Sequence, residues 1–420
     1  MKGQRDSRPP FKELDGMEVE ELFDKLSTPA YIIEETQLRR NGEMLAALSE
    51  KTGCKILLAQ KAFSNYNYYP LLSEYLAGTE ASGLYEARLG AEEMPDKEVH
   101  VFCGAYREDE FEELLTYADH IVFNSPKQLK KFGKRAKQCG KSVGLRINPQ
   151  CSTQEGHAIY DPCAPGSRLG VTRAQWNEQM TDELTALLDG LHFHTLCEQD
   201  ADALEKTLQA VEEKFGDVLP KMKWLNMGGG HHITRPGYDL ERLEKCILYV
   251  KEMWKLEVYL EPGEAVALNA GYLISRVLDV VQNEDTSIAI LDASAACHMP
   301  DVIEMPYTPP LYGAEEADDD DSEAAEGVNC SDVRKGRQAY VYRLAGPTCL
   351  AGDVIGDYCF GGELREGDML VFGDMAIYTT CKNNTFNGMP LPNIWKRTQQ
   401  GEFVRLTDFG YEEFKRRLGR

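Results

Sequence analysis

The sequence predicts an α/β protein built from a (β/α)8 TIM barrel and a second, mostly antiparallel β domain. Eight short apolar segments, each followed by a helical pattern, occupy roughly residues 36–270. After about residue 271 the helical periodicity fades, and β-rich runs punctuated by glycine and proline replace it, at 273–281, 287–291, 339–344, 369–372 and 403–406. A length of 420 residues also exceeds one ordinary domain and favours two.

The barrel rests on alternating strand and helix patterns. The predicted strands are 55–60, 77–81, 98–103, 120–124, 142–147, 190–195, 224–227 and 257–260. The predicted helices between them include 82–94, 107–118, 125–138, 201–215 and 239–254. A doubly wound open sheet is the alternative. The even count of eight strands and the lack of a strand-GxGxxG-helix unit favour the barrel.

The remaining segments are assigned to an arm and to the β domain. Residues 1–35 are expected to form an N-terminal arm whose strand, Thr28–Ile33, joins the β domain. The barrel is expected over 36–270 and the β domain over 271–420. The segment 314–327 has four consecutive aspartates, further glutamates and no apolar face, which predicts a disordered acidic loop.

Composition excludes several classes of function. A net charge of −23 argues against nucleic acid as a partner and is compatible with a cationic small molecule. The sequence lacks an apolar run of about 18 residues, so we expect no membrane span. The polar N-terminus predicts a cytosolic protein. The 12 cysteines lack CxxC spacing and are interpreted mostly as small buried hydrophobes.

Lys61 is the first candidate for chemistry. It follows the apolar strand Ile56–Ala59, at the carboxyl end where barrel active sites collect. Burial favours the neutral amine of a lysine, and a neutral amine is a nucleophile that forms a Schiff base with an aldehyde. The alternative is that Lys61 extends to solvent from the strand end.

The other strand ends supply a matching set of groups. The residues at these ends are Lys61, Ser82, Asn124, Arg146, His194, Gly228, Gly229, Gly230 and Glu261. Together they contain what a pyridoxal phosphate site needs: an amine, a flat ring, a glycine turn for a phosphate and a carboxylate. We therefore expect this cofactor at the barrel mouth.

Each group is assigned a role and has an ordinary alternative. His194 is expected to stack on the pyridine ring, Glu261 to pair with the pyridine nitrogen, and Arg146 to donate to cofactor oxygens. One of the two histidines in Leu191–Thr195 is expected to be an ordinary core or surface histidine, and Glu261 could instead cap the next segment. His231 and His232 suggest a metal, but no third ligand at useful spacing accompanies them, so we expect none.

A series of motifs carries a resemblance to a known family. In chain order they are the Lys61 strand, Leu191–Thr195, Asn226–Gly230, Glu261–Gly263, Gly346–Cys349, Tyr378 and Thr385–Gly388. Over about residues 28–420 the chain resembles the alanine-racemase-fold pyridoxal-phosphate decarboxylases, which include ornithine, arginine and diaminopimelate decarboxylases. The details of Gln60–Ser64, His194–Glu198, Glu261–Ala265 and Cys349–Asp353 are most similar to the branch that acts on carboxynorspermidine and carboxyspermidine.

The resemblance implies further roles. Lys61 would hold pyridoxal phosphate covalently, and Cys349, contributed by a second subunit, would take part in reprotonating the substrate α-carbon. Tyr378, also from the second subunit, would bind the phosphate. The resemblance therefore implies a homodimer with shared active sites. An inert buried thiol is the alternative for Cys349.

Two departures from the sister enzymes concern the substrate. Glu264 stands where ornithine and diaminopimelate decarboxylases carry an arginine, and Leu350 stands where they carry an acid. These changes predict an extended substrate with distal amines, bound by Glu264 and by Asp301. The alternatives are that Glu264 supports Arg146 and that Asp301 is a turn residue.

The expected reaction is therefore decarboxylation of carboxyspermidine or carboxynorspermidine to spermidine or norspermidine in polyamine biosynthesis. One rival is decarboxylation of diaminopimelate or another basic amino acid on the same fold. The other rival is a non-catalytic regulatory homologue. The acidic segment 314–327 is interpreted as a plain insertion rather than a polyamine-binding lid.

Overall fold

The computed structural model describes residues 26–154, 161–317 and 340–419. Residues 1–25 of the expected arm, and residues 318–327 of the expected acidic loop, lie outside the described residues. The chain divides into two compact units. One is Leu38–Leu268, and the other combines Met1–Gln37 with Asn269–Arg420.

The first unit is a closed barrel of eight parallel strands, which confirms the predicted (β/α)8 fold. Strand β1 (Ala30–Glu34) precedes it and belongs to the other unit. The barrel strands are β2 (Lys55–Ala59), β3 (Gly78–Ala81), β4 (Glu98–Phe102), β5 (His120–Phe123), β6 (Ser142–Arg146), β7 (Gly190–His192), β8 (Trp224–Asn226) and β9 (Glu257–Leu260). Strand β9 pairs with β2 and closes the barrel.

Helices follow the strands along the chain. They are α1 (Glu35–Thr52), α2 (Tyr69–Leu72), α3 (Leu84–Glu93), α4 (Glu108–Tyr117), α5 (Pro126–Gln138), α6 (Arg173–Gln179), α7 (Asp182–Thr185), α8 (Ala201–Phe215), α9 (Leu240–Trp254) and α10 (Glu264–Ala267). Ser125 begins α5 by accepting a hydrogen bond from the Gln128 N–H, with Pro126 in the first turn. Among the described residues, no helix is both long enough and apolar enough to cross a bilayer.

Aromatic side chains fill part of the barrel interior. The rings of His100 and His120 stack with their centroids 3.9 Å apart, and Trp224 lies 5.3 Å from His120. The indole occupies space that two neighbouring strands leave open with glycine. A Cβ at Gly190 would overlap the indole, and one at Gly144 would lie 3.0 Å from its Cζ2. The parallel register of β6, β7 and β8 therefore depends on these small residues.

The second unit is a mostly antiparallel β domain, also as predicted. Its strands are β1, β10 (Gly271–Asn283), β11 (Thr286–Leu291), β12 (Ala314–Glu316), β13 (Tyr340–Ala345), β14 (Val354–Phe360), β15 (Met369–Gly373), β16 (Asn393–Arg397) and β17 (Phe403–Arg405). The sheet order is β12-β14-β13-β11-β10-β1-β16-β17, with β15 also paired to β10. Its helices are α11 (Ala295–His298), α12 (Asp301–Glu304), α13 (Thr379–Lys382) and α14 (Tyr411–Leu418).

In the β domain the structure differs from the sequence-based predictions in two places. Ala314–Glu316 was expected to begin a disordered loop, but it forms a strand that pairs with the end of β14. Sequence patterns also missed β14, whose interior contains Gly356 and Asp357, residue types that are depleted in strands. Asp357 is opposite Arg343 on β13, and the two form an ion pair at 2.8 Å. That cross-strand pair compensates locally for the low β-propensity of the aspartate.

Replacing Gly190 by alanine should destabilise the barrel, because the new methyl group would overlap the Trp224 ring. We expect G190A to lower the free energy of unfolding by about 1–3 kcal/mol in a guanidinium titration. The control is G104A, since a Cβ at Gly104 meets no atom within 4 Å. Equal stability of G190A and wild type would contradict the packing described for Trp224.

Candidate active site

Buried polar groups gather at the carboxyl ends of the barrel strands. Arg146 and Glu261 are each 5% exposed, and Glu80 is 2% exposed. Because the strands are parallel and closed, their carboxyl ends form one rim of the barrel. The set comprises Lys61, Glu80, Arg146, His192, His194, Asn226 and Glu261. Most of the sequence-predicted cofactor residues are therefore brought to this rim.

Lys61 lies in the turn that follows β2 and is half-buried. The preceding Gln60 is fully buried, and its side chain accepts a hydrogen bond from the Tyr69 hydroxyl at 2.9 Å. The side-chain Nε2 of Gln60 donates to the Glu86 carbonyl at 2.9 Å. These contacts fix the turn that carries the lysine. The charge of Lys61 acts on Glu80, Glu261 and both nearby histidines.

Glu261 is the centre of a buried hydrogen-bond network. Its carboxylate lies 3.1 Å from His192 Nε2 and accepts from Asn226 Nδ2 at 2.5 Å. Burial by itself raises the pKa of Glu261, but the charge and hydrogen bond of His192 and the charge of Lys61 lower it to about 2. The carboxylate is therefore ionised although it is buried. His192, one of the pair of histidines considered from sequence, is its direct partner.

The glycine turn after β8 is held by the same network. Asn226 Oδ1 accepts a hydrogen bond from the Gly228 N–H at 2.9 Å. Gly228 and Gly230 have φ values of 70° and 81°, in the left-handed region that favours glycine. A Cβ at Gly229 would lie 3.0 Å from the carbonyl carbon of Glu261 and 3.4 Å from His194 Cε1. The turn therefore lies directly against the carboxylate residue and the ring.

His194 is oriented by the turn that it contacts. Its Nδ1 accepts a hydrogen bond from the Gly229 N–H at 3.0 Å. Burial, followed by the positive charges of Lys61 and Arg146, holds the pKa of His194 well below its usual 6.5. The imidazole is therefore neutral at pH 7, which agrees with a ring nitrogen that accepts a hydrogen bond.

Arg146 brings a buried cation to the rim. Its Nη2 donates to the carbonyl of His194 at 2.9 Å, and its guanidinium lies 4.6 Å from the centroid of the Phe102 ring. Burial lowers the pKa of Arg146 to about 10, against the opposing effect of Glu261. The side chain therefore stays charged at neutral pH.

Glu80 is a rim residue that sequence reasoning missed. Its Oε2 is buried and has no hydrogen-bond partner within the part of the chain that the structure describes. Burial raises the pKa of Glu80 to about 8, helped by Glu261 and opposed by Lys61 and Arg146. Glu80 is therefore a carboxyl group that gains or loses a proton near neutral pH. The available signal was a single acid inside the otherwise uncharged strand β3.

Two of the residues predicted to lie at strand ends, Ser82 and Asn124, form hydrogen bonds to neighbouring loops. The N–H of Ser82 donates to the carboxylate of Glu86 at 2.6 Å. The side chain of Asn124 donates to the carbonyls of Gly104 and Arg168, at 3.2 and 2.9 Å. These contacts are of the kind that shapes the loops around a rim.

Glu264 has a different partner from the one that the sequence alternative named. Its carboxylate lies 2.5 Å from Nε2 of His232, rather than beside Arg146. Glu198 joins these two residues, so that one ligand atom from each of the three lies within 4.8 Å of the others. This group contains His232 but not the adjacent His231. His231 is buried elsewhere, with its Nδ1 3.5 Å from the Tyr238 hydroxyl.

The second unit carries the other candidates. Asp301 is ion-paired to Lys382, which also contacts Glu304 at 2.9 Å. Tyr378 immediately precedes α13 with a φ of 58°, and the Lys382 ammonium lies 5.6 Å from its ring centroid. Asp301 is the first residue of α12, directly after Pro300, so it is helical rather than the turn residue that the alternative named.

Cys349 lies on a short closed loop. Its thiol is exposed and donates to Asn387 Oδ1 at 3.1 Å. The loop ends at Asp353, a buried carboxylate that accepts from Ser294 Oγ at 2.8 Å and from Thr348 Oγ1 at 2.6 Å. The alternative of an inert buried thiol does not hold for this unit.

These features define the class of protein: an alanine-racemase-type barrel with a separate β domain and a polar rim built around a lysine. The chain belongs to the pyridoxal-dependent decarboxylases. The family model described as "Pyridoxal-dependent decarboxylase, C-terminal sheet domain" matches residues 30–376. The family inferred from the motifs is thereby confirmed.

Two curated relatives and one solved structure match the chain over nearly its whole length. The chain is 44% identical over 396 residues to carboxynorspermidine/carboxyspermidine decarboxylase of Campylobacter jejuni, covering 94% of this chain and 100% of that one. It is 39% identical over 401 residues to carboxyaminopropylagmatine decarboxylase of Synechocystis, covering 94% and 97%. The crystal structure of Campylobacter jejuni carboxynorspermidine decarboxylase complexed with norspermidine has a TM-score of 0.82 at 42% identity, covering 93% and 100%.

Glu80 should make the stability of the cofactor-free protein depend on pH. Its pKa is about 8 in the folded chain and 4.5 ordinarily, so the folded state binds more protons in that range. Stability therefore falls as pH rises from 4.5 through 8. Replacing Glu80 by glutamine removes this titration. The decrease in the free energy of unfolding between about pH 5 and about pH 8 should therefore be smaller in E80Q than in wild type, by more than about 1 kcal/mol.

The measurement is urea unfolding of both proteins at about pH 5 and about pH 8. The matched control is E113Q, which replaces an exposed glutamate on α4 and should follow wild type. Parallel pH profiles for E80Q and wild type would show that Glu80 does not titrate in this range.

Proposed function

We propose that the chain is a pyridoxal-phosphate-dependent decarboxylase of carboxynorspermidine and carboxyspermidine, with norspermidine or spermidine and CO2 as products. The observation that carries the proposal is the 44% identity to the Campylobacter jejuni enzyme over nearly the whole chain. The rim geometry supports it independently. A half-buried lysine, a glycine turn and an ionised buried carboxylate occur together at the barrel mouth.

The residues fit this cofactor. The turn at Gly228–Gly230 leaves no room for side chains, so a phosphate can approach its backbone closely. Because the N–H groups of Gly228 and Gly229 donate to Asn226 and His194, the Gly230 N–H is the group of this turn proposed to contact the phosphate. Lys61, Arg146, His194 and Glu261 would complete the binding set. When bound, pyridoxal phosphate supplies an electron sink for the electron pair left by the departing carboxylate.

The protein's own groups have distinct tasks in this proposal. Glu261 keeps a fixed negative charge, because His192 and Asn226 satisfy it, and can accept a hydrogen bond from a protonated ring nitrogen. The neutral ring of His194 can stack on a flat ligand without placing a second cation beside it. Glu80 is suited to hold or release a proton near the Lys61 amine.

Cys349 and Tyr378 are proposed to complete the site of a second subunit. The exposed thiol of Cys349 is suited to deliver a proton to the substrate α-carbon, and the Tyr378 hydroxyl to bind the phosphate. Both roles rest on the family resemblance and require a homodimer. The fixed loop of Cys349, anchored at Asp353, supports a role that needs a defined thiol position.

The substrate assignment depends on carboxylates. Glu264 and Asp301 are proposed to bind distal amines, in exchange for their partners His232 and Lys382. Carboxynorspermidine and carboxyspermidine differ by one methylene, which an apolar pocket discriminates by only about 1–3 kcal/mol. We therefore propose that both are accepted. The name of the Synechocystis relative makes carboxyaminopropylagmatine the competing substrate to include in assays.

Covalent attachment at Lys61 is the first test. Borohydride reduction of the purified protein should label a single peptide that contains Lys61, because reduction fixes a cofactor bound to its amine. K61A should lose the label, the visible absorbance and all decarboxylation. K127A, which replaces an exposed lysine on α5, should keep all three. A wild-type protein without a labelled Lys61 peptide would disprove the proposal.

Substrate choice is the second test. Release of CO2 should be rapid from carboxynorspermidine and carboxyspermidine and negligible from diaminopimelate. Replacing Glu264 by arginine, the residue of the sister enzymes, should raise the KM for both polyamine substrates at least tenfold, since an ammonium would meet a cation. Efficient turnover of diaminopimelate by wild type would favour the rival assignment.

A further inference from the structure

Three acid–base side chains from three loops meet at the barrel rim. Glu198 follows β7, His232 follows β8, and Glu264 is the first residue of α10 after β9. One ligand atom of each lies within 4.8 Å of the other two. We call these three residues the His232 cluster. The functional assignment above uses only Glu264 from this cluster.

Backbone contacts fix the positions of the three loops. The N–H of Gln199 donates to the Gly230 carbonyl at 3.0 Å, and the N–H of His232 donates to the Gln199 carbonyl at 3.3 Å. The hydroxyl of Thr234 donates to the Ala265 carbonyl at 2.7 Å. The loops that carry Glu198, His232 and Glu264 are therefore joined within one or two residues of each side chain. The cluster is preorganised rather than assembled by a ligand.

The cluster is adjacent to the lysine turn. A Cβ at Gly263, the residue before Glu264, would lie 2.6 Å from the Cβ of Ala62, the residue after Lys61. The amino end of α10 therefore packs directly on the turn that carries Lys61. The His232 cluster and Lys61 therefore lie on adjoining segments of the barrel rim.

The net charge of the His232 cluster depends on whether His232 is protonated. Nε2 of His232 lies 2.5 Å from Glu264, and His232 is 8% exposed. Burial disfavours the imidazolium, but the hydrogen bond and charge of Glu264 and the charge of Glu198 raise the pKa of His232 overall. Arg235 opposes them, but it also contacts Asp200 at 3.7 Å. Neighbouring His231 adds no charge at neutral pH, because burial lowers its pKa to about 4.

We propose that Glu198 and Glu264 form an ammonium subsite that protonated His232 occupies in the ligand-free protein. An arriving substrate ammonium donates to Glu264 in place of the His232 Nε2–H. The Nε2–H bond then breaks, and its proton passes to bulk water, leaving a neutral imidazole. This inference deepens the proposed function and rests on it. His232 is a positioning residue, because it acts through Glu264 and keeps that carboxylate ionised and oriented before substrate binds.

The chemistry favours a polyamine as the ligand. The two carboxylates can bind an ammonium group. Because His232 loses its proton when the ammonium binds, no second positive charge remains beside the bound ammonium. A transition-metal ion is the other cation that an imidazole and two carboxylates accept. The experiment below separates the two.

The test is calorimetric titration of the holoenzyme with norspermidine at about pH 6, 7 and 8, in buffers of different ionisation enthalpy. We expect wild type to release up to about one proton on binding, and its affinity to rise with pH as His232 loses its charge beforehand. H232Q should bind without releasing this proton and with a flatter pH profile. H232N should behave like H232Q.

Carboxylate variants test the subsite itself. E198Q and E264Q should each weaken norspermidine binding about tenfold or more and raise the KM of substrate, with less effect on kcat. The matched control is E213Q, an exposed glutamate on α8, which should leave binding and proton release unchanged. Because Glu198 is exposed, E198Q keeps the test available if a variant of buried His232 does not fold.

Two results would overturn the inference. One is norspermidine binding with the same proton release in wild type and H232Q. The other is Zn²⁺ binding that depends on His232 while norspermidine affinity ignores all three residues. Borohydride labelling of Lys61 on the same preparations separates the proposals. A labelled Lys61 with either result removes only this inference, whereas an unlabelled Lys61 removes the proposed function.

Discussion

The buried carboxylate of Glu261 is the interaction on which the rest of the rim depends. An ionised carboxylate inside a protein costs several kcal/mol unless its neighbours compensate it. Here His192 and Asn226, from the ends of β7 and β8, supply that compensation. Asn226 also fixes the turn at Gly228, and Gly229 in turn orients His194. One buried charge thus ties three strand ends and the glycine turn into a single arrangement.

Much of this architecture could be predicted from local sequence. Barrel strands are buried on both faces, so they appear as short apolar runs, and residues such as Ser125 mark where helices begin. Because barrel active sites lie at the carboxyl ends of the strands, Lys61, Arg146, His194 and Glu261 were predicted to lie at one site. Strand β14 was missed because its fit depends on the pairing of Asp357 with Arg343, a contact invisible to periodicity.

The partners of the site residues could not be predicted in the same way. His192 and Glu261 are 69 positions apart, and Glu264 and His232 are 32 apart. Residue type shows what a side chain can do, but only the folded chain shows which group it faces. Glu264 faces an imidazole rather than Arg146. Glu80 was missed for a related reason, since its unusual proton affinity arises entirely from burial and distant charges.

The loop that carries Cys349 has a consequence for how its thiol is presented. The Gly346 N–H donates to the Asp353 carbonyl and the Asp353 N–H to that of Leu350, while the Asp353 carboxylate binds Ser294. The segment is thus closed on itself and tethered within its own unit. A group on an already ordered segment has little conformational entropy left to lose when it meets a reaction partner. The Cys349 thiol is therefore held in a defined position before it meets a reaction partner, and it does not have to be selected from many loop conformations.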